Sequence, residues 1–236
     1  MENIRIAVGV GGEGKFFKAL VHACEVGIVP ATVVNVFGYE SRTGQLYTKS
    51  PIQGESILMP GFSELKAIRE YGEVDLVCLD HYPKMLEEEV VAAFKGKILC
   101  AFPSPLEFAG PGLWGRRAIE ARLRFLKATM REFVTCATVY LLGSGKVVAE
   151  DWMEVYEGDT CNTLAARLYP RMRDLYLEAI LIWMNPGMRG EGGSLIARIK
   201  GDGRGIALRG RSRHVVYPQE QELLAQCKEE ARKLRL

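Results

Sequence analysis

Ile4-Arg-Ile-Ala-Val-Gly-Val10, followed by Gly11-Gly12-Glu13-Gly14-Lys15 and then by Phe17-Lys-Ala-Leu-Val-His-Ala-Cys-Glu-Val26, reads as strand, glycine-rich turn and helix in succession. The first run is short and apolar, and the last carries Leu20, Val21 and Cys24 at helical spacing. Further along, the β-branched run Thr32–Phe37 predicts a second strand, and Val74–Leu79 and Lys97–Phe102 predict two more. Met85–Phe94 has the pattern of a helix between those last two. Strands that alternate with helices are joined by crossovers, which give a largely parallel sheet covered by helices. The expected fold class is therefore α/β, with a mainly parallel central sheet. The stretch from Gly38 to about Pro60 is rich in Gly, Ser, Thr and Pro and reads as loop.

The second half changes character. Leu113–Arg131 is basic and amphipathic, with Ile119, Leu123 and Leu126 at helical spacing. Thr138–Leu142 and Lys146–Val155 read as two strands joined through Gly143-Ser144-Gly145, a hairpin signal. Gly158-Asp159-Thr160 precedes a helical run from Leu164 to Trp183, and Asp159 or Thr160 is a natural N-cap for it. Leu195–Lys200 and Gly205–Arg209 flank Gly201-Asp202-Gly203 as a terminal hairpin, and Gln219–Leu236 reads as a last helix. The expectation is one domain over residues 1–236, in parts 1–100, 101–190 and 191–236.

Composition limits the function classes. The 236 residues are 48% hydrophobic and 25% charged, which excludes a disordered or collagen-like chain. A net charge of +2 provides no global field for nucleic acid or an anionic membrane. No apolar run reaches the roughly 18 residues that cross a membrane, and the amino terminus lacks the basic and apolar regions of a signal peptide. Six cysteines without a CxxC pair read as reduced, mostly buried thiols, with no metal cluster and a cytoplasmic location.

The glycine-rich turn is the first candidate site. Glycines let backbone N–H groups approach an anion, and the following helix start adds favourable partial charge. Gly12, Gly14 and Lys15 are thus candidate phosphate-binding residues, with Glu13 as an opposing charge. The spacing is not that of a Walker A loop, because no Ser or Thr follows the lysine.

Taken together, these blocks resemble the phosphoribosylglycinamide formyltransferase family across roughly residues 3 to 215. Gly12-Glu13-Gly14-Lys15-Phe16 is similar to the family's phosphate loop, and Val74–Leu79 with Asp80–Leu86 sits at its DLVVLAGFMRIL segment. Gly158-Asp-Thr160 with Thr163-Leu-Ala-Ala-Arg167 is similar to its GDTxETLAxR block. The resemblance implies a formyltransferase-like, Rossmann-related fold with a C-terminal hairpin and helix. It also implies purine-pathway one-carbon transfer from 10-formyltetrahydrofolate to a phosphorylated acceptor, with 1–100 as the phosphate-loop half and 101–190 as the folate half. That chemistry needs a polarised carbonyl, oxyanion stabilisation and a base. The family's N-x-H-P-S motif is here Cys100-Ala101-Phe102-Pro103-Ser104, so Cys100 replaces the Asn and Phe102 the His, while Ser104 is kept. The His of its TVHFV motif is Tyr140, and its acid-bearing loop is shortened to Gly143-Ser144-Gly145-Lys146.

Two expectations follow. The chain either keeps the fold as a phosphate-binding or regulatory protein without the usual formyl-transfer residues, or it has rebuilt equivalent chemistry elsewhere. Asp80, His81 and Tyr140 are the candidate catalytic groups for rebuilding, with Tyr82 and Ser104 as pocket residues. Carboxyl ends of strands are where an open α/β sheet binds ligands, and an adjacent acid can tune a histidine. Neighbouring strand residues point to opposite faces, so Asp80 and His81 need a loop to converge. Cys100 reads as a buried thiol, because no cation nearby in sequence would activate it. His22 lies within the first helix and His214 in the basic tail. The basic segments 116–131 and 198–213 read as solvated faces, or as contacts for a phosphorylated substrate or a second subunit, a homo-oligomer included. Nucleic acid is not the expected partner.

Overall fold

The computed structural model describes residues 3–11, 14–40, 45–52, 54, 56–59, 63–82, 84–130, 133–186 and 216–234. The expected terminal hairpin, the basic segment 198–213, His214, Gly12 and Glu13 lie outside the described residues. The chain forms two compact units: residues 1–101 with 140–146, and residues 102–139 with 147–236.

In the first unit, β1 (Ile4–Val10) lies between β2 (Ala31–Tyr39) and β5 (Leu76–Asp80), parallel to both. β6 (Ile98–Phe102) continues the parallel centre beside β5. The apolar strands expected at this centre are therefore present, with small shifts at their ends. α1 (Lys15–Glu25) makes the crossover from β1 to β2.

The loop expected over Gly38–Pro60 is corrected. It contains β3 (Leu46–Lys49) and β4 (Ser56–Leu58), which extend the sheet antiparallel beyond β2. β3 has only four residues, and it is held by pairing with Val36–Tyr39 of β2. Local composition does not register such long-range pairing. α2 (Glu64–Arg69), which the sequence pattern also missed, starts at Ser63, whose hydroxyl accepts from the Lys66 N–H at 3.4 Å. α3 (Glu88–Ala93) is shorter than the expected Met85–Phe94. The helix-covered face of the unit buries Phe37, Ile68, Val77, Val90, Phe94 and Ile98. Among these apolar groups Asn35, fully buried on β2, donates to the Ala67 and Ile68 carbonyls at 2.5 and 2.9 Å.

The second unit contains α4 (Arg116–Thr129), most of β7 (Val134–Leu141) and of β8 (Lys146–Glu154), α5 (Cys161–Met184) and α6 (Gln221–Arg232). The α5 start behaves as the sequence suggests. Thr160 and Thr163 exchange reciprocal backbone bonds, while buried Asp159 accepts from the Tyr156 N–H and the Thr163 hydroxyl and pairs with Arg167. α6 is fastened along α4 by Arg124–Glu230 at 2.6 Å. Arg122 of α4 is buried between the Phe108 and Phe125 rings and donates twice to the Val134 carbonyl, and burial brings its guanidinium down to about 10. Among the described residues, no helix is long and apolar enough to cross a membrane.

Candidate active site

The chain leaves β1 towards β2 on one side and returns as β5 on the other, so the strand order reverses at β1. In open α/β sheets, ligands bind in the crevice outside the carboxyl ends of strands at such a point. Val10 at the end of β1 pairs with Asp80 at the end of β5, and the Gly11 N–H donates to the Asp80 carbonyl at 2.7 Å. Gly14 then turns into α1 with φ 60° and ψ 36°, a left-handed conformation that favours glycine. Lys15, the first residue of α1, is exposed beside this turn.

Asp80 is 2% exposed, and its carboxylate is shared. Oδ2 accepts from the Phe17 N–H in the first turn of α1 at 3.1 Å, and Oδ1 lies 2.9 Å from Nδ1 of His81. A carboxylate at a helix start completes an orphaned donor and suits the local dipole. It also brings a negative charge to the place where a bound anion would approach α1.

His81 has φ 50°, left-handed for a non-glycine residue. This conformation breaks the alternation of β5 and lets two consecutive side chains meet, as the sequence requires for convergence. Because an ionised carboxylate only accepts, Nδ1 of His81 donates to Asp80, and Nε2 is the basic nitrogen of a ring that is 49% exposed.

Tyr82 turns inward. Its hydroxyl donates to Oε1 of Glu64 at 2.5 Å, and its ring lies 5.3 Å from that of Phe37. Gly9 makes room for both rings: a Cβ there would stand 2.8 Å from Phe37 Cζ and 3.0 Å from Tyr82 Cδ2.

Cys100 and Tyr140 form a second group. Burial pushes the Cys100 thiol up to about 12 and, with the neighbouring Cys100, the Tyr140 phenol above its ordinary value. At pH 8 such a thiol is ionised to roughly one part in ten thousand. Native protein treated with a thiol-specific alkylating reagent should therefore yield Cys100 unmodified on peptide mapping, and denatured protein should yield it labelled. Rapid native labelling would contradict this burial.

In the second unit, Phe102 is 3% exposed and Ser104 fully buried. The Ser104 carbonyl accepts from the Thr138 hydroxyl at 3.0 Å, while its own Oγ has no hydrogen-bond partner among the described residues. The turn Gly143–Lys146 is closed by Gly145 N–H to the Leu141 carbonyl at 3.0 Å and carries no acid.

The structure thus joins Asp80, His81 and the start of α1 in one hydrogen-bonded group and sets Cys100 beside Tyr140. Sequence reasoning missed Glu64, Tyr39 and Glu87, which anchor the segment after His81. The Glu64 carboxylate accepts from the Tyr82 and Tyr39 hydroxyls and the Glu87 N–H, while the Glu64 N–H donates to the Glu87 carboxylate at 3.0 Å. Ser63, a favoured N-cap residue type, is the local signal that could have pointed to this segment.

No family model matches the chain. Phosphoribosylglycinamide formyltransferase of Arabidopsis thaliana chloroplasts is 29% identical over 194 residues, covering 75% of this chain and 64% of its own length. The chain likewise spans 64% of the chloroplastic relative from Vigna unguiculata. The Haemophilus influenzae phosphoribosylglycinamide formyltransferase is 27% identical over 193 residues, covering 78% of this chain and 88% of its own. The crystal structure of phosphoribosylglycinamide formyltransferase from Brucella melitensis superposes with a TM-score of 0.57 at 25% identity, covering 78% and 95% of the two chains. In sequence and in fold, over about three quarters of its length and at modest identity, this chain is similar to the phosphoribosylglycinamide formyltransferases.

Proposed function

We propose that the chain binds a phosphorylated small molecule at the carboxyl ends of β1 and β5 and does not carry out formyl transfer with the family's usual residues. The observation that carries this reading is the turn at the strand reversal, where left-handed Gly14 leads directly into α1 with Lys15 as its first residue. The relatives are named for a phosphoribosyl substrate, which fits the same ligand class. The positions assigned to formyl transfer do not fit that chemistry. Cys100 is a buried neutral thiol, Phe102 is apolar and buried, and the Gly143–Lys146 turn has no carboxylate. Neither an oxyanion donor nor a proton shuttle remains among them.

Calorimetric titration with glycinamide ribonucleotide and with ribose 5-phosphate tests the binding. Lys15→Ala should weaken it about tenfold, the loss of one charged donor. Asp80→Asn should tighten it severalfold, because a carboxamide oxygen still accepts from Phe17 while the opposing charge disappears. Absence of heat with either ligand, or indifference to Lys15, would refute the reading.

The Asp80–His81 contact favours a second reading, an active one-carbon transferase with a rebuilt site. A buried carboxylate that orients one imidazole nitrogen favours the ring as a base, and its second nitrogen is the one that would take a proton from an acceptor amine or hydroxyl. In that case 10-formyltetrahydrofolate is consumed in the presence of acceptor, and His81→Ala abolishes turnover while phosphate binding persists. Ligand binding without consumption leaves the chain a binding or regulatory protein.

A further inference from the structure

Beside the proposed phosphate site, the first unit holds an aromatic cluster whose charges do not balance. Glu64 is 1% exposed, and among the described residues it has no ion pair. Among the described residues its carboxylate is met by neutral donors, with Tyr82 and Tyr39 hydroxyls on Oε1 at 2.5 and 3.0 Å and the Glu87 N–H on Oε2 at 2.9 Å. Bonds from a phenol to a carboxylate are short and strong, and they fix the ring that carries the hydroxyl. Burial and Glu64 raise both phenols, Tyr39 to about 12, so both remain protonated donors at neutral pH. The rings lie 5.9 Å apart at 53°, and Tyr82 is backed in turn by Phe37.

A cation already uses this cluster. Nζ of Lys84 stands 3.7 Å from the Tyr39 ring centroid, within the range of a favourable cation–π contact. Lys84 is exposed and sits on the segment between His81 and α3. Counting Glu64 and Glu87 against Lys84 leaves the group one negative charge in excess.

We infer that Tyr39, Tyr82 and Glu64 form a recognition site for a small organic monocation, an ammonium or quaternary ammonium group, in which the Lys84 ammonium is the resident competitor. Neither ring nor carboxylate belongs to the phosphate turn, so the site stands or falls independently of Lys15 and Gly14.

The test is calorimetric titration with choline and with its neutral carbon isostere, dimethylbutanol, on the full chain. Lys84 is exposed, so Lys84→Ala leaves the buried cluster in place while vacating the Tyr39 face. The variant should bind choline at least about tenfold more tightly than the parent chain and should discriminate against the neutral isostere by a similar factor. Adding Tyr39→Leu to Lys84→Ala should remove that gain, with circular dichroism confirming that the double variant is folded. Equal binding of choline and the isostere, or no gain on removing Lys84, would overturn the inference. Ribose 5-phosphate binding to Lys84→Ala, measured alongside with a ligand that carries no cation, separates failure of this site from failure of the phosphate site.

Discussion

Phe102→His is expected to lower folding stability by about 3 kcal/mol and to bring no formyl transfer with it. The position invites the substitution, since it restores the residue that the family resemblance implies there. At 3% exposure, however, Phe102 is part of an interior, and an imidazole placed there needs partners for two ring nitrogens. Stranding a polar group costs about 1–3 kcal/mol, and exchanging phenyl for a smaller ring forfeits part of the apolar burial as well. Adding Cys100→Asn does not complete the machinery, because the Gly143–Lys146 turn supplies no acid to orient the histidine. Urea denaturation measures the first effect, and 10-formyltetrahydrofolate consumption with glycinamide ribonucleotide measures the second. Formyl transfer by the double variant at unchanged stability would show that the site still has its family shape and lacks only two side chains.

The sequence made the parallel centre legible because its signals are local. Ile4–Val10, Thr32–Phe37 and Val74–Leu79 are apolar enough to declare themselves as strands, and Asp159-Thr160 offers the cap at which α5 starts. Interactions between distant residues left no such trace. Asp80 meets Phe17 from 63 positions away, and Glu64 meets Tyr39 and Tyr82 from 25 and 18. Periodicity reports which face of an element is apolar, so it is blind to a buried carboxylate that collects donors from β2 and from the segment between β5 and α3. β3 was hidden for the same reason, since its four residues are ordered by β2. His81 shows the reverse case. Its chemistry was visible, and the obstacle raised by strand alternation was sound, yet a left-handed φ of 50° at a single residue removes it.

Asn35→Ala should cost about 2–3 kcal/mol, more than its small size suggests, because it removes a buried side chain that serves two carbonyls and a hydroxyl and strands one of them. The side-chain amide donates to the Ala67 and Ile68 carbonyls at the end of α2, and its oxygen accepts from the Thr48 hydroxyl at 2.5 Å. Last-turn carbonyls of a helix lack the usual i+4 partner, and here the Ile68 carbonyl finds its partner in a fully buried side chain, while the Ala67 carbonyl also accepts from the Glu70 N–H at 3.4 Å. Alanine leaves the Ile68 carbonyl dry, whereas the Ala67 carbonyl keeps the Thr48 hydroxyl at 3.3 Å and the Glu70 N–H at 3.4 Å. Asn35→Asp should be at least as costly, because it offers no donor to either carbonyl and buries a charge. Thr48→Val, which removes one donor and keeps the volume, should cost about 1–2 kcal/mol. The effect should reach the candidate site, since α2 carries Glu64 at its first residue and Glu64 anchors Tyr82 directly after His81. Hydrogen exchange would report it as earlier opening of α2 together with the segment from His81 to Glu87. Loss of global stability with unchanged local exchange there would mean that Asn35 supports the sheet alone.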